Sequence, residues 1–328
     1  LWLKHPVRKP HPSLQLHDLH CSMAYHRCNS FFASSILMGL VCCGHSVHIR
    51  ADSLPSRREQ PPDVDPSLQA VMPIEFVHVP KCGTSFLNTL IHLPGACAGL
   101  PENVQVSEEM MGKLAMENFF NLYRPDLNCN SSMLDYKQQH HLGVEAFLPG
   151  GFDEGKGRFM IFVRQPEQRF LSHFHFKRQK QNILGKDSSK AATSSLEAFE
   201  DTWSGVVTKM LTTKRDTGPQ PTRAQVDEAK SRLRSGFSFI GITDEWDLSI
   251  CLFNKMFNQV CRSIQFANTR PSHTKSSSSW DTAELNGWRD PYDNEVFDVA
   301  LQLFQANLRK YNVSESSCEP CWRDAGIL

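Results

Sequence analysis

The chain has 328 residues, with 35 basic and 35 acidic side chains and no formal net charge. That length suits one large domain or two ordinary ones, and 40% hydrophobic residues with 21 Phe exclude a wholly disordered chain. Eleven Cys are too few for a disulfide-stapled scaffold, and the zero net charge removes a global electrostatic case for nucleic acid or a membrane surface, though not a local basic site.

Residues 1–50 read as a leader. Seven of the 14 His fall here in a Pro-rich tract without repeated ligand spacing, so an unstructured segment is favoured over a metal site. Residues 28–49 contain no Asp, Glu, Lys or Arg, and 31–43 form an apolar centre preceded by Arg27. Two readings stay open: a signal peptide starting at Met23 and cleaved near Gly44 or Ser46, or an uncleaved signal anchor. Both send the remainder into the secretory lumen. Residues 51–72, rich in Pro and charge, read as a stem. A compact domain is expected over 73–311, with a C-terminal tail at 312–328.

Two sequons, Asn130-Ser131-Ser132 and Asn312-Val313-Ser314, agree with a lumenal chain. Of the cysteines, seven lie beyond the leader: Cys82, Cys97, Cys129, Cys251, Cys261, Cys318 and Cys321. Their odd number leaves at least one unpaired within the chain. Cys318-Glu319-Pro320-Cys321 is expected to form a terminal structural disulfide rather than half a zinc site, since no second ligand pair is near.

Residues 74–79 have strand character, and Phe86, Leu87, Leu90 and Ile91 follow at helical spacing. Between them lie Pro80-Lys81-Cys82-Gly83-Thr84-Ser85. Gly83 would let the backbone approach an anion, loop amides and a helix start would favour negative charge, and Lys81, Thr84 and Ser85 would add donors. This is not a Walker A loop, because the Lys precedes the Gly and no G-K-S or G-K-T occurs. Cys82, beside Lys81 and a helix start, is expected to stay free and to have some thiolate tendency.

Residues 158–163 read as a buried strand ending at Arg164, and Pro166 suits the first position of a helix. Arg164 would then stand at a strand's carboxyl edge, where α/β sheets bind ligands. Residues 164–190 hold seven basic and two acidic side chains, a local charge of +5. Helical stretches follow at 196–211 and 223–233. Trp246, Ile250, Phe253, Phe257 and Val260 form one apolar stripe; Phe297, Leu301, Phe304, Leu308 and Tyr311 form another. Asp290-Pro291 is expected to begin the last helix as N-cap and first residue.

The segments 78–85 and 163–172 resemble the 5′-phosphosulfate loop and 3′-phosphate motif of sulfotransferases that use 3′-phosphoadenosine 5′-phosphosulfate (PAPS). Residues 239–246, together with Asn268-Thr269-Arg270 and the helix 293–311, resemble the Golgi branch acting on heparan and uronyl sugars. The resemblance implies an α/β, P-loop-like fold with a central, mainly parallel sheet flanked by helices. It implies PAPS-dependent O-sulfation of a glycan or polysaccharide hydroxyl in the Golgi lumen, by a type II membrane protein or a secreted one. The membrane is met only through the N-terminal segment, and neither nucleic acid nor metal is required.

Residue by residue, it implies that Pro80, Lys81, Cys82, Gly83, Thr84 and Ser85 cradle the 5′-phosphosulfate, with Lys81 also stabilising the departing phosphate. Arg164 and Ser172 would bind the 3′-phosphate, and Arg270, His273 and Lys275 would close over the nucleotide. His141 is the favoured general base, with His140 and Glu145 behind it. His173 and His175 are expected to pack or face phosphate. Two departures stand out. The loop is short with Cys82 in place of Thr, and Gln165 replaces Asp, which is expected to cap its helix poorly. These motivate one alternative, a non-catalytic lumenal protein that binds nucleotide or glycan on the same fold; a second, a tyrosyl-protein sulfotransferase, shares the cofactor but not the acceptor.

Overall fold

The computed structural model describes residues 64–97, 99–105, 148, 151–184, 196–213, 218–268 and 279–328. All fall within one compact unit, Glu59–Leu328. After a short helix α1 (Pro66–Gln69), the chain enters strand β1 (Glu75–Val77), turns through the loop and forms α2 (Phe86–Ile91). A four-residue helix α3 (Phe152–Gly155) precedes β2 (Phe159–Val163), which runs into α4 (Pro166–Leu184). Then come α5 (Leu196–Trp203), α6 (Val206–Thr212), α7 (Arg223–Gly236), β3 (Phe237–Ile242) and α8 (Trp246–Met256). Helices α9 (Asp293–Lys310) and α10 (Glu315–Asp324) end the chain.

The three strands form one parallel sheet in the order β1-β2-β3, flanked by helices. The central strand β2 is buried along its whole length, which explains its unbroken apolar run. Val77 pairs with Ile161, and Val163 pairs with Ile242. In parallel register all three strands therefore release their following loops at one edge of the sheet. Beneath that edge, Phe86 of α2 packs on Phe162, Phe239 and Phe253 at ring separations of 4.8, 5.6 and 5.2 Å.

Several expected elements differ in detail. The stretch 196–211 is two helices, broken at Ser204 and Gly205. Gly205 has φ +63°, and a Cβ there would lie 2.5 Å from Pro221. The break is stabilised from a distance. Asp293 Oδ2 accepts the Val207 N–H, Asp293 Oδ1 accepts the Thr208 N–H and hydroxyl, each at 2.9 Å, and Asp290 Oδ2 accepts the Gly205 N–H at 2.9 Å. A glycine cannot cap a helix with a side chain, so α9 supplies the anion instead. This also moves the start of the last helix. Asp290 Oδ1 accepts the N–H groups of Tyr292 and Asp293, forming a turn before α9 rather than its N-cap.

Of the first apolar stripe, Ile250, Phe253 and Phe257 are buried and Trp246 is partly so, but Val260 lies beyond α8 and is 64% exposed. On α9 the deepest of the apolar residues are Val296, Ala300 and Phe304: Phe304 belongs to the expected stripe, while Val296 and Ala300 each precede an expected position by one residue. The C-terminal cysteines do not bond each other. Cys251–Cys318 and Cys261–Cys321 instead pin α10 to α8 and the segment after it, because a helix start at Ser314 places both cysteines within one helix. Cys97 is also disulfide-bonded. Among the described residues no helix is long and apolar enough to cross a membrane. The apolar leader segment lies outside the described residues.

Candidate anion site at the sheet edge

The loop after β1 is held tightly. Cys82 N–H bonds the Val79 carbonyl at 3.0 Å, and His78 Nε2 and Thr84 Oγ1 form a buried hydrogen bond of 2.8 Å across the loop. Thr84 thus uses its hydroxyl in shaping the turn. Gly83 has φ +73°, and a Cβ there would come within 2.9 Å of Trp246 and 3.1 Å of Phe162, so only glycine fits this close approach to the aromatic floor. Lys81 also has a left-handed backbone, φ +68°, a conformation costing a non-glycine residue about 1 kcal/mol or more. Its ammonium lies 4.4 Å from the Phe176 ring centroid on α4. Pro80, Gly83 and Ser85 are partly exposed along the same turn. Helix α2 is six residues long, so anion binding here would rest on loop amides and cations rather than on an extended helix.

Cys82 is free, as expected, but it is fully buried. Burial pushes its thiol up to about 12, against the opposing pull of Arg169 and Arg164. The expected thiolate tendency is therefore corrected: desolvation outweighs the neighbouring cations.

Arg164 is nearly buried, and its Nε lies 3.5 Å from Asp244 Oδ1 at the start of the turn after β3. Asp244 Oδ2 accepts the Gln165 N–H at 3.1 Å. The ends of β2 and β3 are therefore joined through Arg164, Gln165 and Asp244. Ser172 is buried roughly 10 Å further along α4, at 1.5 Å rise per residue. Gln165 caps α4 after all: its Oε1 accepts the Gln168 N–H at 2.8 Å, while its amide group donates to Glu167. The longer side chain reaches because Glu167 fixes its far end.

His173 packs against Trp203, with ring centroids 4.1 Å apart. His175 stacks on Trp280 at 4.2 Å and bonds Glu284 at 3.1 Å. Both fit the packing role expected. Gln168 makes a double hydrogen bond with the backbone of Trp280, at 2.6 and 2.8 Å, tying α4 to the chain before α9. Arg169, fully buried, donates to the Trp203 carbonyl at 3.0 Å.

His140, His141 and Glu145, and also Arg270, His273 and Lys275, lie outside the described residues. The Asp244 contact was not anticipated; its signal was an acid at the carboxyl end of the strand beside β2. Among the described residues no cluster of His, Cys, Asp or Glu suits a metal ion, and Cys318 and Cys321 are taken by disulfides. Comparison of the chain with protein-family models, curated proteins and solved structures gives no match.

Proposed function

We propose that the chain is a PAPS-dependent O-sulfotransferase acting on a glycan or polysaccharide in the Golgi lumen, on the P-loop-like fold of that family. The observation that carries this reading is the parallel register of the three strands, which brings the loop after β1 and Arg164 at the end of β2 to the same end of the sheet. In this reading Lys81 and the amides of residues 83–85 hold the 5′-phosphosulfate. Arg164 and Ser172 hold the 3′-phosphate, where a guanidinium suits two-point contact. Arg270, His273 and Lys275 cover the nucleotide. Sulfuryl transfer is treated as in-line, so positioning and charge stabilisation dominate, with no metal. His141, with His140 and Glu145 behind it, takes the acceptor proton. The disulfides support an oxidising compartment, reached through the N-terminal signal or anchor.

The test is transfer of radiolabelled sulfate from PAPS to a polysaccharide panel. Lys81→Ala and Arg164→Ala should each lower transfer at least about 100-fold, the scale of losing one charge-stabilising donor, while the fold survives. Full activity in both variants would refute the assignment. The seating of the Lys81 ammonium over Phe176 favours a second reading, a lumenal protein that binds nucleotide or glycan without transfer. Binding of adenosine 3′,5′-bisphosphate with no transfer to any glycan or tyrosyl peptide would favour that second reading.

A further inference from the structure

We infer that Asp244 is a positioning residue for the anion-binding guanidinium of Arg164, an inference that rests on the nucleotide reading above. Asp244 bridges two groups at the same strand end: it lies 3.5 Å from Arg164 Nε and accepts the Gln165 N–H at 3.1 Å. The second bond fixes the carboxylate to the backbone that carries Arg164. A long side chain whose Nε edge faces a fixed carboxylate as an ion pair, not as a hydrogen bond, is steered to direct its guanidinium toward an incoming phosphate. Without Asp244, ordering that side chain falls on the binding step. Asp244 is itself 39% exposed, so water and salt screen its repulsion of the phosphate, and positioning outweighs repulsion.

The experiment is calorimetry on the full chain with adenosine 3′,5′-bisphosphate and with adenosine 5′-monophosphate, which lacks the 3′-phosphate. Asp244→Ala should weaken the bisphosphate about three- to tenfold, the ordering cost of one long side chain. It should leave the monophosphate unchanged, and Asp244→Glu should restore most of the loss. A merely structural role would weaken both ligands together, so equal loss overturns the inference. So does unchanged or tighter bisphosphate binding in Asp244→Ala. If the unaltered chain binds neither ligand, the nucleotide reading fails and the inference fails with it. If it binds both and only the selectivity pattern is missing, the inference alone fails.

A separate observation carries a modification site. We propose that Asn312 carries an N-linked glycan. It is exposed in the tight turn between α9 and α10, with φ +52°. Ser314, which completes the sequon, is also exposed. The disulfides at Cys318 and Cys321 agree with the oxidising compartment of the proposed function, where such glycans are added. The chain is produced in a secretion-competent eukaryotic cell, released from glycans enzymatically in heavy-oxygen water and mapped by mass spectrometry. Labelled Asp at position 312, abolished by Ser314→Ala, is the expected result. Unmodified Asn312 overturns the proposal; the thiol state of Cys251 and Cys318 in the same sample shows whether the site or the compartment was at fault.

Discussion

Asp293 and Glu295 stand two residues apart in the first turn of α9, yet they do opposite work. Asp293 is buried and gives its carboxylate to backbone N–H groups at the start of α6, beside the equally buried Asp290. Glu295 faces outward and pairs with Arg223 and Lys230 of α7, which also meet Asp227. Desolvation, with the neighbouring Asp293 charge, pushes the Asp290 carboxyl up to about 6. Hydrogen bonds from Arg223 and then Lys230 hold the Glu295 carboxyl down to about 2. One helix start thus shows two uses of the same chemical group. Inside, the carboxylate replaces a missing cap and tolerates its own desolvation; outside, it joins an ion cluster that water screens.

The sharpest way to break this contrast is Asp293→Ala. It removes three hydrogen bonds and leaves two buried N–H groups without acceptors, so destabilisation of about 3 kcal/mol is expected in denaturant unfolding. A loss under about 1 kcal/mol would show that α6 does not depend on the remote cap.

Next in size is the acid dependence. Asp290 binds its proton more tightly in the folded state, so its contribution to stability falls as pH rises from about 4 to 6 and is level above that. The folded value of about 6 against the usual 3.8 corresponds to about 2–3 kcal/mol over that window. Unfolding midpoints at several pH values should show this slope in the unaltered chain and lose it in Asp290→Asn. Glu295 has the opposite sign: its contribution is full above about 4.5 and is lost as pH falls toward 2.

Exchanging the exposed acid, Glu295→Gln, should cost only about 0.5 kcal/mol at low salt and less at high salt. A loss comparable to that of Asp293→Ala would erase the distinction between the two faces. The smallest effect is expected at a third helix start. Gln165 already supplies a capping oxygen to α4, so Gln165→Asp should change stability by less than about 0.5 kcal/mol rather than adding a full cap. A thermal-unfolding gain matching a full cap would show that the Gln bond contributes little.

Much of the architecture is legible in local pattern. The unbroken apolar run at 159–163 announces a strand covered on both faces, Pro166 marks a helix start, and the glycine at 83 marks a turn against a packed floor. Of the candidate site, the sequence brings out Lys81, Gly83 and Arg164 because their residue types stand beside recognisable strand ends. Asp244 is hidden for the opposite reason: its partner lies 80 residues away, and an acid at a strand end does not by itself name a partner across a parallel sheet. The buried state of Cys82 is hidden too, since the neighbours Lys81 and Gly83 argue for exposure while the aromatic floor of Phe162 and Trp246 is contributed by other segments.

What the sequence determines by itself is therefore what short-range chemistry dictates: strand and helix periods, turn residues, and the identities of the cations near the sheet edge. What only the tertiary structure decides is how distant groups answer one another. It sends Cys318 and Cys321 to Cys251 and Cys261 rather than to each other, because both lie on one helix facing α8 and the segment that follows it. It caps α6 from α9, because a glycine start leaves N–H groups that a buried carboxylate can reach. And it sets the protonation of Asp290 and Cys82, because burial is a property of the packed chain and not of the residues beside them.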